Sequence, residues 1–188
     1  MLLGVNVAIF KDGKVLLTRR EDFRVWCLPG GAADENESIV QAGMREVREE
    51  TGLEVRLTRL VGIYSRPGWS DGGSHIVVFT GEVTGGTLSP DPNEVVEIGY
   101  FDPGALPELL NDQRGRIRDA AAGIGGSTAV RETARFPEGI PEPRAELYAR
   151  RDQSGLARDA FYRQTFGAED TAAEIEIEGD PAGPPHAH

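Results

Sequence analysis

A chain of 188 residues, of which 39% are hydrophobic and 27% charged, has the composition of a globular protein with room for one domain and additional material. Its apolar runs are too short to cross a bilayer and its N-terminus lacks the features of a signal peptide, so we expect a cytoplasmic protein with no membrane partner. The net charge of −11 argues against a nucleic-acid duplex as partner, but not against phosphate substrates, because bound cations reverse the local charge.

The first predicted elements are two strands joined by a tight turn. Residues 5–10 and 15–19 are apolar runs on either side of Asp12-Gly13, a pair typical of β-hairpins. A short strand is predicted at residues 25–27, where Cys27, the single cysteine, is expected to belong to the core. Pro29-Gly30-Gly31 then indicates a loop.

A helix is predicted at residues 37–51. Gly52 is a typical C-terminal cap, and Asp34 or Asn36 is expected to cap the N-terminus, with Asp34 and Glu37 at the spacing of a capping box. One stripe of this helix is apolar and should pack on a sheet: Ile39, Val40, Gly43 and Val47.

The remaining pattern predicts an α+β fold with a C-terminal extension. Strands are predicted at 55–64, 75–83 and 95–101, and helices at 106–110 and 114–122. The composition shifts towards Gly, Pro, Ala, Arg and Glu near Gly123, which predicts a domain at 1–122 and an extension at 123–188. Within the extension we expect a helix at about 145–166 and a disordered, acidic and Pro-rich end from residue 168.

Three carboxylates of the predicted helix, those of Glu46, Glu49 and Glu50, lie at i, i+3 and i+4. This spacing places them on neighbouring parts of one helix surface, where like charges repel, near a C-terminus that disfavours each anion by about 0.3–1 kcal/mol. A solvated acidic face with Arg–Glu pairs is one interpretation. The other is a site for a divalent cation such as Mg²⁺, which prefers oxygen ligands and would remove the conflict.

The whole stretch from Gly31 to Leu53 resembles the Nudix box: Gly, five residues, Glu, seven residues, then Arg-Glu-apolar-any-Glu-Glu-any-Gly-apolar. Every specified position is filled without a gap, by Gly31, Glu37, Arg45, Glu46, Val47, Glu49, Glu50, Gly52 and Leu53. A chance match of this kind is rarer than about one in ten million. The resemblance to Nudix hydrolases covers roughly residues 3–120 and implies an α/β/α sandwich with a mixed β-sheet.

The resemblance also implies roles for individual residues. Glu46, Glu49 and Glu50 are expected to bind Mg²⁺ or Mn²⁺, with a backbone carbonyl from Gly31 or Gly30. Glu37 and Arg45 resemble the structural pair of the box, in which Arg45 orients the metal-binding glutamates. The general base is expected to be Glu49 or a glutamate beyond the box, for which Glu94 is preferred over Glu97.

The predicted substrate is a nucleotide-like small molecule with a diphosphate linkage. Arg19, Arg66 and Trp69 form the favoured substrate-binding set, with Arg20 as a further candidate, whereas His75 is expected to be structural. Arg66-Pro67-Gly68 loosely resembles an element of ADP-ribose pyrophosphatases, which favours ADP-ribose. The alternatives are a nucleoside triphosphate pyrophosphohydrolase and, in another class, a non-catalytic nucleotide-sensing module. A homodimer is also expected, since many relatives are dimers.

Overall fold

The computed structural model describes residues 2–66, 73–110, 113–127, 129–133, 144–157, 160–161, 164–165 and 172–177. These residues fall into two compact units, the first comprising Met1–Ala129 with the residues from Ile175 onwards and the second Val130–Glu174. None of the described helices has both the length and the apolar character needed to cross a membrane.

The predicted hairpin is confirmed. Strand β1 (Leu2–Lys11) and strand β2 (Lys14–Arg20) pair antiparallel, and Phe10 lies opposite Val15. Asp12 and Gly13 connect them with φ angles of 51° and 75°, the left-handed conformation that a two-residue hairpin turn requires. The short strand β3 (Trp26–Cys27) then pairs with β2.

The predicted mixed sheet is also confirmed. Strands β4 (Leu53–Arg66), β5 (Ser74–Gly86) and β6 (Val95–Phe101) complete a six-stranded sheet in which β3, β2, β1, β5 and β4 are neighbours in that order and β6 pairs with β2. The β1–β5 pair is parallel, whereas the other pairs are antiparallel.

Two helices cover opposite faces of this sheet, which gives the expected α/β/α sandwich. Helix α1 (Ile39–Thr51) packs Val47 into a core that contains Val7 of β1, and helix α2 (Gln113–Ala121) packs Ile117 into a second core that contains Ala8. Neighbouring residues of β1 thus serve different cores, because successive side chains of a strand point to opposite faces.

The N-terminal cap of α1 differs from the prediction. Ser38, and neither Asp34 nor Asn36, is the cap, and it forms a capping box with Gln41. The carboxylate of Glu37 does accept a hydrogen bond of 2.7 Å from the amide of Asp34, but Asp34 lies in the loop before the helix, and the same carboxylate also accepts two hydrogen bonds from Arg45. The end of the helix is as predicted, because Gly52 adopts a left-handed φ of 75° at the C-terminal cap.

The short helix predicted at residues 106–110 is absent from the described structure, and this prediction is wrong. Pro107 lies within the segment, and the backbone there is extended enough to pair with β3. The amide of Trp26 donates to the carbonyl of Glu108 at 3.0 Å, and the amide of Leu110 donates to the carbonyl of Trp26 at 2.8 Å.

The C-terminal extension contains three described elements: strand β7 (Ala129–Thr133), helix α3 (Arg144–Gln153) and strand β8 (Ala172–Ile177), with β7 and β8 forming a two-stranded sheet. The single helix expected at 145–166 is therefore too long, because a turn with Gly155 at a φ of 69° follows Gln153. The prediction of disorder is also wrong for residues 172–177, because they form β8 and Ile177 is buried in the core that contains Val7 and Val47. Residues 178–188 lie outside the described residues, and the domain boundary near 122 stays a prediction.

Candidate active site

Arg45 joins the loop before α1 to the glutamates on the helix. Its guanidinium donates to both carboxylate oxygens of Glu37, at 3.1 and 2.7 Å. Its Nη1 atom also donates to Glu46 at 2.9 Å and to Glu49 at 3.0 Å. Because the guanidinium is a rigid planar donor, it holds three carboxylates in a defined arrangement. Hydrogen bonding from Arg45 lowers the pKa of Glu37.

The carboxylate of Glu46 lies against the backbone of Gly31. A Cβ atom at position 31 would be 2.5 Å from Oε1 of Glu46, so a side chain there would displace the carboxylate. Burial raises the pKa of Glu46, and the hydrogen bond from Arg45 opposes this change. The box glycine therefore leaves room for the carboxylate of Glu46 beside the loop.

Glu50 is the most buried of the three helix glutamates, with only 7% of its surface exposed. Its Oε2 atom accepts a hydrogen bond of 3.0 Å from the amide of Gly30. Burial is the main reason why its pKa rises to about 8, and repulsion from Glu46 and Glu94 adds to the effect, while the Gly30 amide opposes it. A buried carboxylate beside two other glutamates needs a nearby cation to stabilise its charged form.

A pocket of about 330 Å³ opens beside these glutamates. Glu46 and Glu50 of α1 line it together with Glu94, which comes from the loop before β6. The amide of Glu21 donates to the carbonyl of Glu94 at 2.8 Å and so fixes that loop. Glu97, the other candidate, is not among the described lining residues, and its carboxylate pairs with Arg19 at 3.2 Å.

Arg20 lines the same pocket, whereas Arg19 does not belong to the described lining set. A bulge between these two residues shifts the pairing with β6, so that Arg19 lies opposite Glu97 and Arg20 opposite Val95. Arg20 donates to Asp22 at 2.9 Å, and Asp22 also lines the pocket. The sequence pattern favoured Arg19 over Arg20 and gave no signal for Asp22 or Asn93, which also lie at the pocket.

The other predicted residues lie elsewhere or cannot be placed. Glu49 is half-exposed, contacts Arg45, and is not among the described residues of the pocket lining. Arg66 ends β4 and contacts Ser74, at 3.4 Å. Trp69 lies outside the described residues. His75 contacts Ser65 on the neighbouring strand at 2.9 Å. Cys27 is buried in the core, and burial raises its pKa to about 11.

The residues around the pocket fit a divalent cation by their chemistry. They offer carboxylate oxygens from Glu46, Glu50 and Glu94, which repel one another, and backbone groups of Gly30 and Gly31. The carbonyl of Gly31 already accepts a hydrogen bond from Val5 at 2.8 Å, which favours Gly30 as a carbonyl ligand. Among the described residues, no group of three or more Asp, Glu, His or Cys side chains is already arranged to bind a metal ion.

The chain belongs to the NUDIX domain family, whose model matches residues 2–120. The expectation of a Nudix hydrolase that acts on a nucleotide derivative is thereby confirmed. The family generally uses divalent metal ions.

Similar proteins carry different substrate names. A putative 8-oxo-dGTP diphosphatase of Bacillus subtilis is 36% identical over 114 residues, which are 60% of this chain and 74% of the relative. An ADP-ribose pyrophosphatase of Methanocaldococcus jannaschii is 36% identical over 121 residues, 62% of this chain and 71% of the relative. Among solved structures, an ADP-ribose pyrophosphatase from Streptococcus suis aligns with a TM-score of 0.58 and 29% identity, covering 65% of this chain and 90% of the other.

Proposed function

We propose that this enzyme hydrolyses the diphosphate linkage of a nucleoside diphosphate derivative such as ADP-ribose, with Mg²⁺ or Mn²⁺ as cofactor. The observation that carries the proposal is the pocket in which Glu46, Glu50 and Glu94 meet. An acidic pocket repels a substrate that is itself an anion, unless cations lie between them. The ion would be held by Glu46, Glu49 and Glu50 and a carbonyl of Gly30 or Gly31.

The reaction needs charge neutralisation and positioning more than covalent help. A bound divalent ion supplies positive charge that acidifies water and stabilises the leaving phosphate oxygen. The protein contributes a base for the water proton, and we assign this role to Glu94. Glu94 lines the pocket, whereas Glu49, the other candidate, is held by Arg45 outside the described lining. Arg45 keeps Glu46 and Glu49 in place and is not among the described residues that line the pocket.

Arg20 is the proposed phosphate ligand. It is the one cationic side chain among the described residues that line the pocket, and its present partner is Asp22. A guanidinium binds phosphate oxygens in a two-point arrangement, so a substrate phosphate can replace the Asp22 carboxylate. Arg19 is not proposed as a phosphate ligand, because it is not among the described residues of the pocket lining and its guanidinium contacts Glu97 and the carbonyl of Arg24 instead.

A nucleoside triphosphate, including an oxidised one, is the second candidate substrate. The relatives named for 8-oxo-dGTP and for ADP-ribose are equally similar to this chain, at 36% identity each. Both substrates place a nucleoside beside linked phosphates, so both suit an acidic pocket that contains one arginine. Selection between them depends on groups that contact the base and the second sugar.

Product chromatography over a panel that contains ADP-ribose, 8-oxo-dGTP and ordinary nucleoside triphosphates tests the proposal, with Mg²⁺, with Mn²⁺ and with EDTA. We expect AMP and ribose phosphate from ADP-ribose, and no product in EDTA. Glu50→Gln should lower turnover by at least about 100-fold without unfolding the protein. Glu54→Gln is the matched control, because Glu54 is exposed and lies beyond the pocket.

Two outcomes would contradict the proposal. Wild-type turnover by the Glu50→Gln variant would show that the carboxylate set is assigned wrongly. Nucleotide binding without product across the whole panel would favour the sensing module instead.

A further inference from the structure

A buried polar cluster links α2 to the loop that precedes the Gly-Gly pair. It consists of Asn6 of β1 and Gln113 and Arg116 of α2, whose exposed fractions are 7%, 3% and 3%. Oδ1 of Asn6 accepts hydrogen bonds from Gln113 Nε2 at 3.3 Å and from Arg116 Nη1 at 2.9 Å. Polar side chains buried to this degree are costly unless they bond to one another, so the cluster has a fixed geometry.

The same cluster binds the backbone of Leu28. The amide of Leu28 donates to Oε1 of Gln113 at 3.1 Å, and its carbonyl accepts a longer hydrogen bond of 3.5 Å from Nδ2 of Asn6. Both backbone polar groups of Leu28, its N–H and its C=O, are therefore held by side chains of the cluster. A residue in an ordinary strand would use neighbouring backbone groups for this purpose.

Two residues further along the chain lies Gly30, the amide of which binds Glu50. Gly30 has a φ of 144°, and a Cβ atom there would lie 2.9 Å from Asn6 Cα, so the loop is pressed against β1 at this point. The amide of Val7 donates to the carbonyl of Pro29 at 2.9 Å. The direction of the Gly30 amide thus depends on how Leu28 and Pro29 are fixed.

We propose that Gln113 and Asn6 are positioning residues for Glu50. They hold the backbone N–H and C=O of Leu28 and thereby direct the Gly30 amide towards the Glu50 carboxylate. Asn6 belongs to the sheet face that α2 covers, while Glu50 belongs to α1 on the other face. The cluster therefore connects α2 to the hydrolytic centre around the edge of β1. Its effect on turnover rests on the proposed function, whereas its effect on the Gly30 amide does not.

The test compares three variants of the full chain. Gln113→Met keeps the length of the side chain but removes both of its hydrogen bonds. Gln113→Glu retains an oxygen acceptor for the Leu28 amide but loses the donor to Asn6, so it isolates the contact with Leu28. Ile117→Val is the matched control, because it removes buried volume from the same helix without removing a polar partner of Leu28.

The first measurement is hydrogen exchange of the Gly30 amide by NMR in metal-free protein, corrected for the unfolding free energy of each variant. We expect exchange in Gln113→Met to be about tenfold faster than in Ile117→Val, with Gln113→Glu slower than Gln113→Met because it keeps the acceptor for Leu28. The second measurement is steady-state hydrolysis at saturating Mg²⁺. There we expect Gln113→Met to lower kcat by about tenfold while KM changes less than about twofold, since the change acts on the hydrolytic centre and not on substrate binding.

The two measurements separate the possible failures. If Gln113→Met and Ile117→Val show equal Gly30 exchange, or if the Gly30 amide is unprotected in the wild-type protein, the positioning role is wrong, whatever the activity. If the wild-type protein hydrolyses nothing in the panel, the proposed function fails and the exchange measurement alone decides the positioning role. Faster exchange with unchanged kcat would also overturn the inference, because the Gly30 amide would then be irrelevant to the reaction.

Discussion

The amide of Gly30 and the carboxylate of Glu50 are joined by a hydrogen bond of 3.0 Å, although 20 residues separate them in the chain. This bond links the loop before α1 to the last full turn of that helix. It is the main local interaction that favours the charged form of a carboxylate that burial and two neighbouring glutamates disfavour. The consequences of this balance can be measured without any substrate.

Metal-free protein should lose stability as the pH rises, because of Glu50. Its pKa of about 8 in the folded state exceeds the ordinary value of 4.5, so between these pH values the folded state binds more protons than the unfolded state. The contribution of Glu50 to the free energy of unfolding should therefore fall from about pH 4.5 to pH 8. The Glu50→Gln variant has no titrating group at this position. Its free energy of unfolding should exceed that of the wild-type protein by at most a few kcal/mol at pH 8 and by little at pH 5. Urea unfolding in EDTA at both pH values measures this, and an equal difference at the two would contradict it.

Glu94 and Glu97 should differ sharply in their effect on turnover. Glu94 lines the pocket, and Glu97 forms an exposed ion pair with Arg19. We expect Glu94→Gln to lower kcat by at least about tenfold, and Glu97→Gln to remain within about twofold of the wild-type value, since exposed pairs contribute little. Steady-state kinetics of the two variants at one pH decides the matter, and the reverse order of effects would exclude Glu94 as the base.

Substrate binding should depend on Arg20 and not on Arg19. Removing a charge-assisted hydrogen bond to a phosphate costs about 1.5–3 kcal/mol, so Arg20→Ala should raise KM by about tenfold or more. Arg19→Ala removes a neighbouring arginine whose partner is Glu97, and it should leave KM nearly unchanged. Initial rates over a range of substrate concentrations provide the comparison. A larger increase in KM for Arg19→Ala would restore the assignment made from the sequence.

Arg45→Lys should lower activity by about 10–100-fold even though the positive charge is retained. A lysine cannot reproduce the planar contacts that Arg45 makes with Glu37, Glu46 and Glu49 together. Arg48→Lys is the control, since Arg48 is exposed on the same helix. Isothermal titration with Mn²⁺ in the absence of substrate should show weaker binding for Arg45→Lys only. Equal affinity in both variants would mean that Arg45 does not orient the glutamates.

Local spacing was sufficient for the part of the site that lies within one stretch of chain. Glu46 and Glu50 are one helical turn apart, and Gly52 ends the helix, so their relation follows from helical periodicity alone. The cap at Ser38 was missed because two pairs have the spacing of a capping box, Asp34 with Glu37 and Ser38 with Gln41. The amide of Asp34 does donate to Glu37, but the helix begins after Ser38. The pattern of residue types does not show which of the two pairs begins the helix.

The sequence by itself determined the family, the hairpin, the helix of the box and the three carboxylates on it, because each depends on contacts between residues close in the chain. Only the tertiary structure shows that Glu94 and Arg20 line the described pocket while Glu97 and Arg19 pair with each other, and that Asn6 is a partner of Leu28. These contacts depend on strand register, on the bulge after Arg19 and on which face of the sheet a side chain occupies. Such relations arise from packing between distant segments, and no local pattern encodes them.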